Sequence, residues 1–273
     1  MDLLILHLPT VLALAGSGIL AGLLAGLLGV GGGIVIVPVL FFLFQGLGVS
    51  AASAMVIATG TSLATIIPTS ISSIRSHHRK GNVDFLLLRR WAPFILGGVL
   101  LGSYLVTVVN GHWLSMLFGV IATLAALNML LRADKAALLP ALPGAPGQSL
   151  MAGSIGLFSS MVGIGGGTMA VPLLTLCNYP AHRAVGSAAA IGLMISVPGA
   201  LTLLVLGSTP ADAPVGTYGL VNVIGFLCIV PLTVVFAPLG AALAQRLNAK
   251  ALKQAFAVVL LITGLRMLAQ QLL

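Results

Sequence analysis

The chain contains no glutamate. Its four acidic residues, Asp2, Asp84, Asp134 and Asp212, lie at a terminus or in segments that connect apolar runs. No run therefore holds a carboxylate to relay protons or ligate a cation, which pumps and cation-coupled carriers usually have. Charge of either sign is scarce, at 6% of 273 residues against 59% hydrophobic, where a soluble domain carries about 25% charged residues. A chain of mean hydropathy +1.18 needs lipid as its solvent, so it is an integral membrane protein, and one suited to anions. The two cysteines, Cys177 and Cys228, stand apart from each other and from any metal or redox motif, and are expected to pack as small apolar residues. No nucleophile–base set, metal-ligand spacing or nucleotide fingerprint is present. Gly29-Val30-Gly31-Gly32-Gly33 lacks the Gly-Lys-Ser/Thr that would complete a phosphate loop, which argues against ATP hydrolysis. The expectation is a protein that is not an enzyme and needs no cofactor. The net charge of +8 comes from short connections, where it fixes membrane orientation rather than binding nucleic acid. The first nine residues lack a basic n-region and cleavage site, so the first apolar segment is expected to be retained.

The most informative feature present is a device that occurs twice. Gly22-Leu-Leu-Ala-Gly-Leu-Leu-Gly-Val-Gly-Gly-Gly-Ile-Val-Ile-Val-Pro38 returns 134 residues later as Gly156-Leu-Phe-Ser-Ser-Met-Val-Gly-Ile-Gly-Gly-Gly-Thr-Met-Ala-Val-Pro172. Residues 101–129 match 239–267 at a constant offset of 138, and Gly60-Thr61-Ser62 corresponds to Gly186-Ser187-Ala188. The chain divides into a first transmembrane repeat (1–131), a Pro/Gly-rich linker (132–147) and a second transmembrane repeat (148–273). Eight apolar segments run over 10–45, 52–74, 91–109, 112–131, 148–178, 184–207, 219–243 and 251–272. The first of them would be about 54 Å long as one helix, against a hydrocarbon core of about 30 Å. It must break, and the glycines are the place. We read 10–45 and 148–178 each as a hairpin with a long arm, a Gly-rich tip at membrane depth and a short return helix; two full crossings have the same parity. The fold class is an all-α polytopic membrane protein of two inverted repeats, each a Gly-broken hairpin plus three transmembrane helices. With that topology Arg75, Arg79, Lys80, Arg89, Arg90, Arg132, Lys135, Arg183, Arg246, Lys250 and Lys253, eleven of the twelve basic residues, share the cytoplasmic side, as the positive-inside rule asks.

A Gly-rich interruption at matching places in two halves is the mark of a secondary transporter whose broken helices build the substrate site. A helix starting after the glycines, at Ile34 or Thr168, offers unpaired N–H groups and the positive end of its dipole, and glycine lets an anion approach without a Cβ in the way. Gly31, Gly32, Gly33 and Ile34, with Gly165, Gly166, Gly167 and Thr168, are the candidate anion cradle; close helix packing through small residues is the competing reading. Thr61, Ser62 and Ser187 follow matching glycines within a hydroxyl-rich run (Thr59, Thr65, Thr69 and Ser70 in the first copy, Ser196 in the second) and are candidates to complete the shell, although such hydroxyls often bond back to their own helix. Arg183 either draws anions to the cytoplasmic mouth or anchors orientation. Arg266 is expected to snorkel to the interface, His77, His78 and His182 to lie in solvated basic segments, His112 to cap or anchor a helix end, and Trp91 and Trp113 to sit at the interface.

At these residues the chain resembles the TauE/SafE family of membrane permeases, the sulfite exporter family. The matching features are the Gly-rich motif ending at Pro38, its copy ending at Pro172, Gly60-Thr61-Ser62 followed by Pro68, and Arg79-Lys80-Gly81-Asn82-Val83-Asp84. They span nearly the whole chain. The resemblance implies bacterial inner-membrane transport of sulfur-containing anions such as sulfite, sulfoacetate or other organosulfonates; our reading is a carrier that exports them by alternating access. The second half departs from the family pattern at Gly186-Ser187-Ala188, where Gly-Thr-Ser is common, and at Met194, where a proline would match Pro68. The expected partners are a small anionic substrate and the lipid bilayer; coupling to protons, a homodimer, an anion channel of the same architecture, a small-carboxylate carrier and a membrane scaffold for a partner enzyme stay open.

Overall fold

The computed structural model describes residues 2–29, 31–131, 138–243 and 249–272. Ten helices are described there. The first half holds α1 (Asp2–Leu28), α2 (Gly33–Gly46), α3 (Ala51–His78), α4 (Phe85–Val108) and α5 (Gly111–Leu131). The second holds α6 (Ala145–Val162), α7 (Gly167–Leu176), α8 (Ala181–Val205), α9 (Val223–Leu243) and α10 (Ala249–Leu272). A two-stranded antiparallel ribbon, β1 (Thr217–Tyr218) and β2 (Val221–Asn222), precedes α9. Five of the described helices, α3, α4, α5, α8 and α9, are long and apolar enough to cross a membrane. The protein is an all-α polytopic membrane protein.

Each first segment breaks where its glycines stand. Gly29 (φ +67°) and Gly163 (φ +70°) end the long arms in left-handed turns, with Gly29 N–H bonded to Ala25 O (3.0 Å) and Ile164 N–H to Ser159 O (3.0 Å). Bonds back to the last helical carbonyls are how a glycine C-cap satisfies them. The return helices α2 and α7 have 14 and 10 residues, about 21 and 15 Å long, too short for a core of about 30 Å.

The pairing of elements shows how the halves relate. The counterparts α3 and α8 pack antiparallel, with Leu63 beside Gly199 and Ser70 beside Gly192. So do α5 and α10, where Gly119 meets Leu268 and Gly264 meets Thr123. The remaining long helices exchange partners between halves. In α1, Gly22 lies against Thr233 of α9; its counterpart Gly156 in α6 lies against Ile95 of α4. Gly240 of α9 presses on Leu23, and its counterpart Gly102 of α4 presses on Leu157. These partners repeat at the sequence offsets of 134 and 138, so one two-fold rotation perpendicular to the helices relates the two sets. Small residues at the crossings let backbones approach closely, which drives helix association where lipid removes the hydrophobic incentive.

One end of the bundle gathers the connections 79–84, 138–144 and 177–180: Leu138 N–H bonds Leu176 O (2.9 Å) and Lys80 Nζ bonds Ala241 O (2.7 Å). Arg75, Arg79, Lys80, Arg89, Arg90 and Arg183 lie at this end, as does the first turn of α10 with Lys250 and Lys253. Arg132, Lys135, Asp134, Arg246 and residues 132–137 of the linker lie outside the described residues. The connections at the other end, 46–50, 109–110 and 206–222, contain Asp212 and neither Lys nor Arg. By the positive-inside rule the basic end is cytoplasmic.

Three expectations need correction. The helices run beyond the apolar segments 52–74 and 91–109: α3 continues to His78 and α4 begins at Phe85, because an apolar run marks hydrocarbon rather than helix length, and Asp84 Oδ1 caps α4 through Leu86 and Leu87 N–H (both 3.1 Å). His77 is not solvated but 4% exposed, its Nε2 3.0 Å from Gly26 O. Trp91 is 1% exposed and donates Nε1–H to Gln148 Oε1 at 3.1 Å, whereas Trp113 is exposed.

Candidate functional site

The two glycine tips meet in the middle of the bundle. A Cβ placed on Gly31 would stand 3.5 Å from Gly165 Cα, its counterpart. Gly31 (φ +69°) and Gly32 (φ +82°) need the left-handed region, while Gly166 is right-handed (φ −53°), so the second tip is not a copy of the first. Gly31, Gly32, Gly33, Ile34, Gly165, Gly166, Gly167 and Thr168 are all buried. Neither α2 nor α7 has an acidic residue in its first turn. The positive ends of two helix dipoles therefore point inward with no protein carboxylate against them.

The wall facing the tips is one stripe of α3. Thr59, Ser62, Ile66, Ser70, Ser73 and His77 recur at spacings of three and four, which place them on one helix face. Ser62 Oγ–H donates to Gly163 O (2.7 Å), Ser73 Oγ–H to Ala25 O (3.3 Å), and Ile66 Cγ2 stands 3.1 Å from the Cβ position of Gly31. Three hydroxyls in this region, Thr59 Oγ1, Ser70 Oγ and Thr168 Oγ1, are buried without any hydrogen-bond partner. Ser70 Oγ lies 3.0 Å from the Cβ position of Gly192, and Gly166 N lies 3.8 Å from the same point. Buried polar groups in native proteins nearly always find partners, so these unpaired hydroxyls, on α3 beside the tips and in the first turn of α7, form an arrangement suited to an acceptor-rich guest.

The structure separates the remaining candidates from this centre. Thr61 Oγ1 accepts Asn222 N–H (2.8 Å), and Ser187 Oγ accepts Asp84 N–H (3.0 Å). Asn222 in turn accepts Gly225 N–H at the start of α9, as Asp84 caps α4. Beside each hydroxyl, Gly60 and Gly186 lie under Leu220 O and Asn82 O, where a Cβ would come within 2.1 and 2.3 Å. Both halves thus use one construction: a glycine–hydroxyl pair on the central helix holds the N-cap of the helix that crosses it. Arg183 is at the cytoplasmic end, where Nη2 pairs with Asp84 Oδ2 (3.1 Å), and its side chain is 49% exposed. Tyr179 O–H donates to the same oxygen (2.5 Å). Burial pulls the Asp84 carboxyl up, but Tyr179, the Leu87 amide and Arg183 outweigh it and hold it below its ordinary value. Burial and the Asp84 acceptor push the Tyr179 hydroxyl up to about 12. Among the described residues no group of three His, Cys, Asp or Glu is placed to hold a metal ion.

Residues 14–267 match the model of the sulfite exporter TauE/SafE family. A probable membrane transporter protein of Haemophilus influenzae is 33% identical over 92% of this chain and 95% of its own length. Probable membrane transporter proteins of Bacillus subtilis (27% identical, 92% of this chain, 94% of its own) and Methanocaldococcus jannaschii (29% identical, 92% of each) are also similar. No solved structure matches the chain significantly.

Proposed function

Since this chain belongs to the sulfite exporter TauE/SafE family, we propose that it is a secondary transporter of the bacterial inner membrane that exports small sulfur-containing anions such as sulfite or organosulfonates. The observation that carries this reading is the contact of the two glycine tips beside the unpartnered Thr168 hydroxyl. Backbone N–H groups at two helix N-termini, together with Thr168, Ser70 and Thr59, bind an oxyanion without a formal positive charge, which keeps the anion exchangeable. Ser62 shapes the site by fixing the Gly163 carbonyl rather than by touching the guest. Alternating exposure of the buried centre to each side in turn carries the anion across. Protons enter through the substrate, a weak acid, or through histidine.

The test is flux of labelled sulfite into liposomes holding the purified protein, competed by sulfoacetate, thiosulfate, sulfate and a carboxylate, with and without a pH gradient. Saturable flux with counterflow, competed only by sulfur oxyanions, supports the reading. Preference for the carboxylate overturns the cargo, and unitary currents overturn the carrier.

A further inference from the structure

On the face of α3 turned away from the glycine tips lies a cavity of about 470 Å³ between α3 and α9. Pro68, Ile71, Val234 and Pro238 make its apolar part, and Arg75, Arg79 and Lys80 its cytoplasmic end. Pro68 stands ten residues before His78, about 15 Å down the helix, so the cavity runs roughly the depth of one leaflet. It opens sideways: Ile71, Arg75, Arg79 and Pro238 are all exposed on the outer surface of the bundle. Lys80 Nζ is engaged with Ala241 O at the end of α9. The guanidinium groups of Arg75 and Arg79 have neither an ion pair nor a hydrogen bond among the described residues, and no acidic residue lines the groove.

The two-fold relation between the halves supplies an internal comparison. At the corresponding positions of α8 and α4, at the other end, Leu201, Val205 and Leu206 stand where the groove has Arg75, Arg79 and Lys80. Leu96 and Leu100 stand there in place of Val234 and Pro238, and all five are exposed. The basic copy keeps the apolar part and adds unpaired guanidinium groups at headgroup level.

We propose that the α3–α9 groove binds one anionic phospholipid of the cytoplasmic leaflet, its phosphate held by Arg75 and Arg79 and an acyl chain lying along Ile71, Val234 and Pro238 towards Pro68. Basic pockets between transmembrane helices on the cytoplasmic side recognise anionic headgroups, and arginine matches phosphate geometry with paired donors. The lateral opening and apolar length select a lipid over a soluble anion. The substrate centre lies on the opposite face of α3, so the lipid is separate from the cargo.

The test is native mass spectrometry of the whole purified protein titrated with phosphatidylglycerol or phosphatidylcholine of identical chains. The wild type should hold one phosphatidylglycerol at about tenfold lower concentration than phosphatidylcholine or better, given two added cationic contacts. Arg75→Leu with Arg79→Val, which copies the counterpart residues Leu201 and Val205, should level that preference; Arg75→Gln with Arg79→Gln is the second variant should the first fail to fold. Arg89→Gln with Arg90→Gln removes the same charge at the same end, outside the groove, and should leave the preference intact. Equal loss in that control would reduce the effect to general surface charge and overturn the proposal. Displacement of the lipid by inorganic phosphate or sulfite at comparable concentration would make the groove a soluble-anion site and overturn it as well.

Discussion

Thr168 shows what a single side chain contributes here. An unpaired buried hydroxyl costs about 1–3 kcal/mol, and its Oγ1 has no partner. Thr168→Val keeps the shape and removes the hydroxyl. It should leave the melting temperature of the purified protein unchanged or raised, while the half-saturation concentration for sulfite rises about tenfold, because a hydrogen bond to a charged group contributes about 1.5–3 kcal/mol. Unchanged flux would remove the hydroxyl from the site. Thr61→Val should do the reverse: the buried Asn222 N–H loses its acceptor, destabilising the fold by about 1–3 kcal/mol, with transport by the surviving protein little affected. The sequence shows Thr59, Thr61, Ser62, Thr65, Thr69 and Ser70 as one hydroxyl-rich run and does not separate these roles. The partners of Thr61 and Ser187 lie 161 and 103 residues away. Which hydroxyls face the tips depends on how α3 is rotated, and hydroxyls stand on more than one side of this largely buried helix, Thr61, Thr65 and Thr69 beside the Thr59–Ser73 stripe, so the pattern does not reveal it.

At the scale of elements, the hairpins were legible because their length disagrees with the membrane, and the glycines name the break without any tertiary information. The start of α9 was not: the apolar run from 219 includes the ribbon, which ends where Asn222 caps the helix at Val223. Gly163→Ala tests the break. A left-handed residue bearing a Cβ costs roughly 1–2 kcal/mol, and that Cβ would lie 2.8 Å from Thr59 Cα. The variant should lose more than this in stability, measured by thermal unfolding, whereas Gly46→Ala, with nothing within 4 Å, should be close to neutral. The link between the α3–α4 and α7–α8 connections is testable by pH. Because the folded Asp84 carboxyl titrates below its ordinary value, its contribution is present above the unfolded value of about 3.9 and fades as pH falls through the folded one. Asp84→Asn keeps a capping side chain, as Asn222 does at the matching place. It should therefore lower the melting temperature slightly at pH 7 and not at all near the acid limit.

For the whole molecule, the charge pattern foretold that the second half is inverted, since an odd number of crossings alone collects the basic connections on one side; antiparallel packing of α3 on α8 and of α5 on α10 agrees with it. The exchange of partners between halves was not foretold, because nothing in α1 marks α9 rather than α4 as its neighbour. Two fragments cut within 132–147 should each be inserted yet degraded or inactive alone, and should regain sulfite flux when co-expressed. Flux from either fragment by itself would contradict the interlocked packing. The interlock also governs how the protein is made. Helix α1 packs chiefly on α9, Gly18, Gly22 and Gly26 against Ile229, Thr233 and Ala237, whose synthesis follows some 210 residues later. At about 5–20 residues per second the early helix waits on the order of 10–40 s in the bilayer with its partner not yet made. A contact face of bare glycines suits that delay, since it exposes no polar side chain for lipid to reject or a quality-control protease to recognise in the meantime.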